Sequence, residues 1–124
     1  MKKSEIILGK SSLHKAEIFF NEYKNEKVFI LHDENVRKKC LELFLSCFPA
    51  LKTSFFIEIK SGEKYKSIKT VKNIIEELIK NNAEKNSLLI NLGGGVVTDI
   101  GSFVASVFNR GINLVNVPTT LLSQ

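Results

Sequence analysis

The sequence predicts an α/β fold, a Rossmann-like, open and largely parallel sheet with helices on both faces. Short β-rich apolar runs such as Val28-Phe-Ile-Leu-His32 and Ser87-Leu-Leu-Ile-Asn-Leu92 recur along the chain, separated by longer segments of helical period. Alternation of that kind builds parallel sheets covered on both sides. In addition, Gly93-Gly-Gly-Val-Val-Thr-Asp99 stands where a strand passes into a helix, at the sheet edge where such folds place their ligands.

Each element has its own signal. Ile6-Ile-Leu8 starts a short strand, and Ser11 or Ser12 caps a helix in which Leu13, Ala16, Phe19, Phe20 and Tyr23 follow a helical period. Val28 to His32 is the next strand, broken by Asp33-Glu-Asn35. From Val36 to about Phe48, apolar Val36, Cys40, Leu43, Phe44 and Cys47 recur at helical spacing until Pro49 stops the helix. Phe55-Phe-Ile-Glu-Ile59 is a strand and Lys60-Ser-Gly-Glu63 a turn. Ser67 to Asn82 reads as a helix with Ile68, Val71, Ile74, Ile75, Leu78 and Ile79 on one side. The helix after the glycines runs to about Asn109. It turns Val97, Ile100, Val104, Val107 and Phe108 inward, offers Gly101 and Ala105 for close packing, and has Gly111 past its last turn. Ile112-Asn-Leu-Val-Asn-Val117 is the last strand, closed by Pro118.

Composition bounds the rest. A chain of 124 residues, 44% apolar and 25% charged, matches one ordinary globular domain over residues 1–124, with no repeat, low-complexity tract or linker. No apolar stretch is long enough to span a membrane, and Met1-Lys-Lys-Ser-Glu5 lacks the apolar continuation of a signal peptide. The expected location is the cytoplasm. Cys40 and Cys47 have no Cys-x-x-Cys spacing and no nearby histidine, so they read as small core residues, not as ligands or a disulfide. The net charge of +5 comes from lysines scattered beside glutamates, as in Lys72-Asn-Ile-Ile-Glu-Glu-Leu-Ile-Lys80, without aromatic residues that stack on bases. A solvated face is expected rather than a nucleic-acid surface; it can still steer an anionic ligand.

Three successive glycines at a strand-to-helix turn remove every Cβ, so an anion can lie against peptide N–H groups at the positive end of the helix dipole. The spacing is neither Gly-x-Gly-x-x-Gly nor a Walker loop, and a tight turn for helix–strand packing is the alternative. The loops leaving the strands offer Asp33 and Asn35, Glu63 and Lys66, Gly94 to Asp99, and Thr119 with Thr120. These are carboxylates for ribose hydroxyls, a lysine for phosphate, amides for pyrophosphate and hydroxyls for further contacts. Taken singly, each has another use, as a helix cap, a turn or a solvated charge.

The stretch from Gly93 through Gly111, continuing into Val117-Pro-Thr-Thr-Leu-Leu-Ser-Gln124, resembles the NAD-binding half of the 3-dehydroquinate synthase family. Ser61-Gly-Glu-Lys-Tyr-Lys-Ser67 resembles that family's upstream nucleotide loop, and Asp33-Glu-Asn35 its first. The resemblance implies Asp33 and Asn35 near the adenosine ribose, and Glu63 and Lys66 around the nucleotide. It further implies Gly94, Gly95, Val96, Val97, Thr98 and Asp99 at the pyrophosphate and nicotinamide, Thr119 and Thr120 closing the pocket, and Arg110 on the substrate phosphate, across a dimer interface. Two positions depart from the family pattern, Thr98 and Ser102, where many relatives have glycine.

What the resemblance implies for a full-length enzyme is conversion of 3-deoxy-arabino-heptulosonate 7-phosphate to 3-dehydroquinate and phosphate, in the shikimate route, by a cytoplasmic homodimer. NAD is its cofactor, with zinc or another divalent metal held by a later helical domain. The expected partners are this phosphorylated sugar acid and a second copy, with no nucleic acid and no membrane. His14 and His32 have no metal spacing and read as non-ligands, so a chain ending at Gln124 lacks the metal half and is expected to be inactive alone. Three rival readings stand beside it: another sugar-phosphate cyclase, a metal-dependent polyol dehydrogenase of the glycerol dehydrogenase kind, and a non-catalytic nucleotide-binding module. The second typically has lysine soon after the glycines, where this chain has Val96 and Val97.

Overall fold

The structure is a computed structural model and describes residues 3–5 and 12–123. Five strands form one sheet in the order β1-β5-β4-β2-β3: β1 is Lys3–Glu5, β2 Val28–Asp33, β3 Phe55–Ile59, β4 Leu88–Leu92 and β5 Asn113–Val117. Every pairing is parallel. The strand expected at Ile6 to Leu8 lies outside the described residues; the described first strand, Lys3–Glu5, pairs with β5. The runs in β2 and β4 are apolar almost without a break because both strands are central and covered on both faces.

Two cores sandwich the sheet. Helix α1 (Ser12–Asn21) shares one face with a helical stretch made of α2 (Glu34–Val36), a wide π turn (Arg37–Leu41) and α3 (Glu42–Cys47). Ala16, Phe20, Val36 and Phe44 there meet Ile30, Ile90, Leu92 and Val115. Helices α4 (Ile68–Lys80) and α5 (Gly95–Val107) cover the other face, where Ile74, Leu78, Val97, Ile100 and Val104 meet Phe29, Leu31, Ile57 and Leu89. Adjacent β2 and β4 therefore send their following helices to opposite faces. That divergence opens a crevice at their carboxyl ends, the topological switch point of the sheet.

Helix ends follow local chemistry. Ser67 caps α4 by accepting from the Thr70 N–H at 3.3 Å. At its other end Asn82 takes φ +57°, with Ala83 N–H donating to Leu78 O at 2.9 Å and Asn82 N–H to Ile79 O at 3.0 Å, a Schellman closure made by asparagine instead of glycine.

The apolar stripes are narrower than their periodicity implies. Ile68, the first residue of α4, is 85% exposed, and Ile79 and Val107 near helix ends are also exposed although their neighbours Leu78 and Phe108 are buried, so Ile79 and Val107 lie off the core-facing side of their helices. Leu43 is exposed and Phe44 fully buried for a different reason. The π turn holds an extra residue, so position i+8 from Val36, rather than i+7, returns to the core. Cys40 and Cys47 are free and half-buried against this core, and burial, then Asp33, pushes the Cys40 thiol up.

Candidate functional site

At the switch point β4 turns directly into α5. Gly93 is buried with φ +153°, and its N–H donates to Val117 O of β5 at 3.2 Å. A Cβ there would lie 3.2 Å from Val97 Cγ2 and 3.5 Å from Val36 Cγ2, so glycine is required by conformation and by space. Gly94 and Gly95 are different. A Cβ on either would meet nothing within 4 Å, so their side of the turn faces open space. Gly94 is the N-cap of α5 and no side chain caps that helix, which leaves its first amide donors directed at the crevice.

Around this turn the strand ends bring some of the expected residues together. Asp33 closes β2, but its Oδ1 accepts from Val36 N–H at 2.8 Å, the helix-cap use of the side chain. Asn35 is exposed beside it. Asp99, in the first turns of α5, accepts from Lys66 Nζ at 2.9 Å, and Glu63 lies 3.9 Å from the same ammonium. The bond to Asp99 and its charge hold the Lys66 ammonium above its ordinary range. Val96 and Thr98 are half-buried and Val97 is buried; Thr98 N–H donates to Gly94 O at 3.0 Å, and the Ser102 hydroxyl is buried with no hydrogen-bond partner among the described residues. Thr119 and Thr120 begin a short 3-10 turn (Thr119–Ser123) directly after β5. Arg110 is exposed in a turn past Val107, the last residue of α5, and makes no hydrogen bond or ion pair among the described residues.

Sequence reasoning missed the groups that support these residues. Glu34 accepts from Ser61 N–H at 3.2 Å and lies 3.3 Å from Ser61 Oγ, tying the 61–67 loop to the start of α2. The Ser61 N–H holds the Glu34 carboxyl below its ordinary range. Farther along the same edge Arg37 binds Glu58, and the buried His32 lies 3.8 Å from Glu58. A carboxylate directly after a strand end was the available signal for Glu34; the Arg37 and Glu58 pairing joins the π turn to β3 across 21 positions and left none.

Two depressions border α4. A groove of about 340 Å³ has Lys66 and Asp99 at its rim and Ile68, Val71, Ile100 and Phe103 as an apolar floor. A larger one, about 620 Å³, lies between α4 and the exposed edge strand β3, away from the glycines. Among the described residues no cluster of three His, Cys, Asp or Glu side chains could hold a metal, and no helix is long and apolar enough to cross a membrane.

An open parallel α/β domain with an uncapped glycine turn at its switch point is the class this geometry defines. The family model of the 3-dehydroquinate synthase N-terminal domain matches residues 56–124. The chain belongs to that family. It is 34% identical over 124 residues to a 3-dehydroquinate synthase of Parabacteroides distasonis, covering 100% of this chain and 35% of the relative. To that of Campylobacter jejuni it is 39% identical over 99 residues, 80% of this chain and 28% of the relative. The chain thus spans about a third of the length of these relatives. Among solved structures, 2-deoxy-scyllo-inosose synthase complexed with carbaglucose-6-phosphate, NAD+ and Co2+ superposes with TM-score 0.75 over 94% of this chain and 31% of that one, at 23% identity, a likeness of fold.

Proposed function

We propose that this chain is the NAD-binding domain of a 3-dehydroquinate synthase, acting on 3-deoxy-arabino-heptulosonate 7-phosphate in the cytoplasm as part of a homodimer. In the full-length protein the domain precedes a helical domain that holds zinc or another divalent metal. The observation that carries the proposal is the glycine turn of a family member standing open at the switch point: Gly94 and Gly95 leave a cradle that any Cβ would narrow.

The residues fit a dinucleotide. Amides at the start of α5 would receive the pyrophosphate, and the dipole of that helix favours its charge. Lys66 stands within reach of a phosphate, while its bond to Asp99 fixes the carboxylate beside the turn. Asn35 and the carboxyl of Asp33 would face the adenosine ribose, with Asp33 exchanging or sharing its cap bond. Thr119 and Thr120 would close the nicotinamide end, and Arg110 would hold the substrate phosphate in fork geometry. Bound there, NAD would supply reversible hydride acceptance from a substrate carbon; the domain contributes orientation and exclusion of water.

The test is an NAD+ titration of the isotopically labelled chain followed by amide NMR. Shifts concentrated at Gly94 to Asp99 and at Lys66 are the expected result. Shifts confined to the groove between β3 and α4, or none at millimolar NAD+, would contradict the proposal.

A further inference from the structure

We infer that Asn91 is a positioning residue: its side-chain amide, pressed against Gly101, sets how closely α5 lies on β4 and so fixes where the Gly93 to Gly95 turn opens. Its functional side rests on the nucleotide reading above.

Asn91 is an anomaly in its strand. Leu88-Leu-Ile-Asn-Leu92 is buried throughout, Asn91 is 0% exposed, and a buried amide is costly unless bonded. One of its two polar atoms is bonded. Nδ2 donates to Oδ1 of Asn116, its register partner on β5, at 2.9 Å, whereas Oδ1 has no hydrogen-bond partner among the described residues. What covers Oδ1 is α5. A Cβ built on Gly101 would stand 1.8 Å from Oδ1, 2.4 Å from Cγ and 2.6 Å from Nδ2. The hydrogen occupying that direction therefore points at Oδ1, a Cα–H···O contact that replaces a conventional bond.

No other residue fits at Gly101 while Asn91 keeps its place, so helix and strand meet at a separation that only this pair allows. Asn91 stands two residues before Gly93 on β4, and Gly101 stands on the helix that begins at Gly95. The contact therefore joins the two elements that the turn connects. Gly101 stands six residues into the continuous hydrogen-bonded helix α5, so a shift there would be carried to its first amides. Close helix–strand approach is the task of the third glycine in dinucleotide fingerprints, and here it falls to Gly101 with an asparagine as the gauge.

Four chains test this: wild type, Gly101→Ala, Asn91→Ala and the double variant, each examined by amide NMR without ligand, by thermal melting and by ADP-ribose calorimetry. In an ordinary helix interior glycine to alanine stabilises. Here Gly101→Ala is expected to lower the melting temperature, to move the amide resonances of Gly93 to Val97, and to weaken ADP-ribose about tenfold. The double variant should return those resonances toward wild type and bind within about threefold of it. Should Gly101→Ala fail to fold, a folded double variant supports the inference and an unfolded one overturns it. Unmoved turn amides in folded Gly101→Ala, or no recovery in the double variant, also overturn it. A wild-type chain that does not bind ADP-ribose defeats the nucleotide reading instead, and the ligand-free amide shifts still decide the role of Asn91.

Discussion

The two halves of the candidate site are held in opposite ways. The glycine turn is fixed by the sheet: Gly93 is buried, bonded to Val117 O, and so placed that a Cβ would stand 3.2 Å from Val97 and 3.5 Å from Val36. The 61–67 loop is fixed by charge, through Glu34 on Ser61 and Lys66 on Asp99, with both lysine and aspartate substantially exposed. Backbone geometry imposed by a core is indifferent to salt and mild acid. Exposed ion pairs contribute little to folding, and their energy is available to be redirected when an anion arrives. On the proposed nucleotide reading, the turn would shape the site and the loop would tune it.

The largest expected effect breaks the rigid half. Gly93→Val combines a backbone conformation that a β-branched residue avoids with contacts near 3.2 Å to Val97, and should destabilise the chain by about 2–4 kcal/mol in urea unfolding. A loss below about 0.5 kcal/mol would show that the turn is not held as described. In the charged half, Lys66→Ala should leave the melting temperature within about a degree while weakening NAD+ roughly three- to tenfold, more at low salt than at high. Equal weakening at both salt concentrations would remove Lys66 from direct charge contact with the cofactor.

The smallest effect is a matter of pH. The Ser61 N–H holds the Glu34 carboxyl below its ordinary value of 4.5, so this contact stabilises the loop above that value and is lost as pH falls through the lower folded-state pKa. The Ser61 amide resonance should titrate below pH 4.5, and Glu34→Gln should abolish that titration. A midpoint above 4.5 would reverse the assigned cause.

Much of the rigid half was legible in the sequence because it follows from backbone chemistry. Consecutive glycines, β-rich apolar runs and the period of α4 each have one common structural solution, and β2, β4 and the turn stand where those signals put them. The charged half was legible only as a set of loops at strand ends. That Lys66 would meet Asp99, 33 positions away, depends on how α4 and α5 pack, which no local pattern encodes. Leu43 misled for a related reason: a regular helical period cannot foresee a π turn, and here one lies between Val36 and Phe44, which share one core. Asn91 was read as part of an apolar strand, since its partners, Asn116 and Gly101, lie on separate elements.

The central claim is that the open side of the turn receives a pyrophosphate, and calorimetry of NAD+ binding to wild type and Gly94→Val tests it most directly. A Cβ at Gly94 meets no protein atom within 4 Å, so the variant should fold with a stability change below about 1 kcal/mol, yet its branched side chain would occupy the anion's place. The account predicts saturable one-site binding by wild type and none detectable by the folded variant. Equal affinity in the two chains would contradict it.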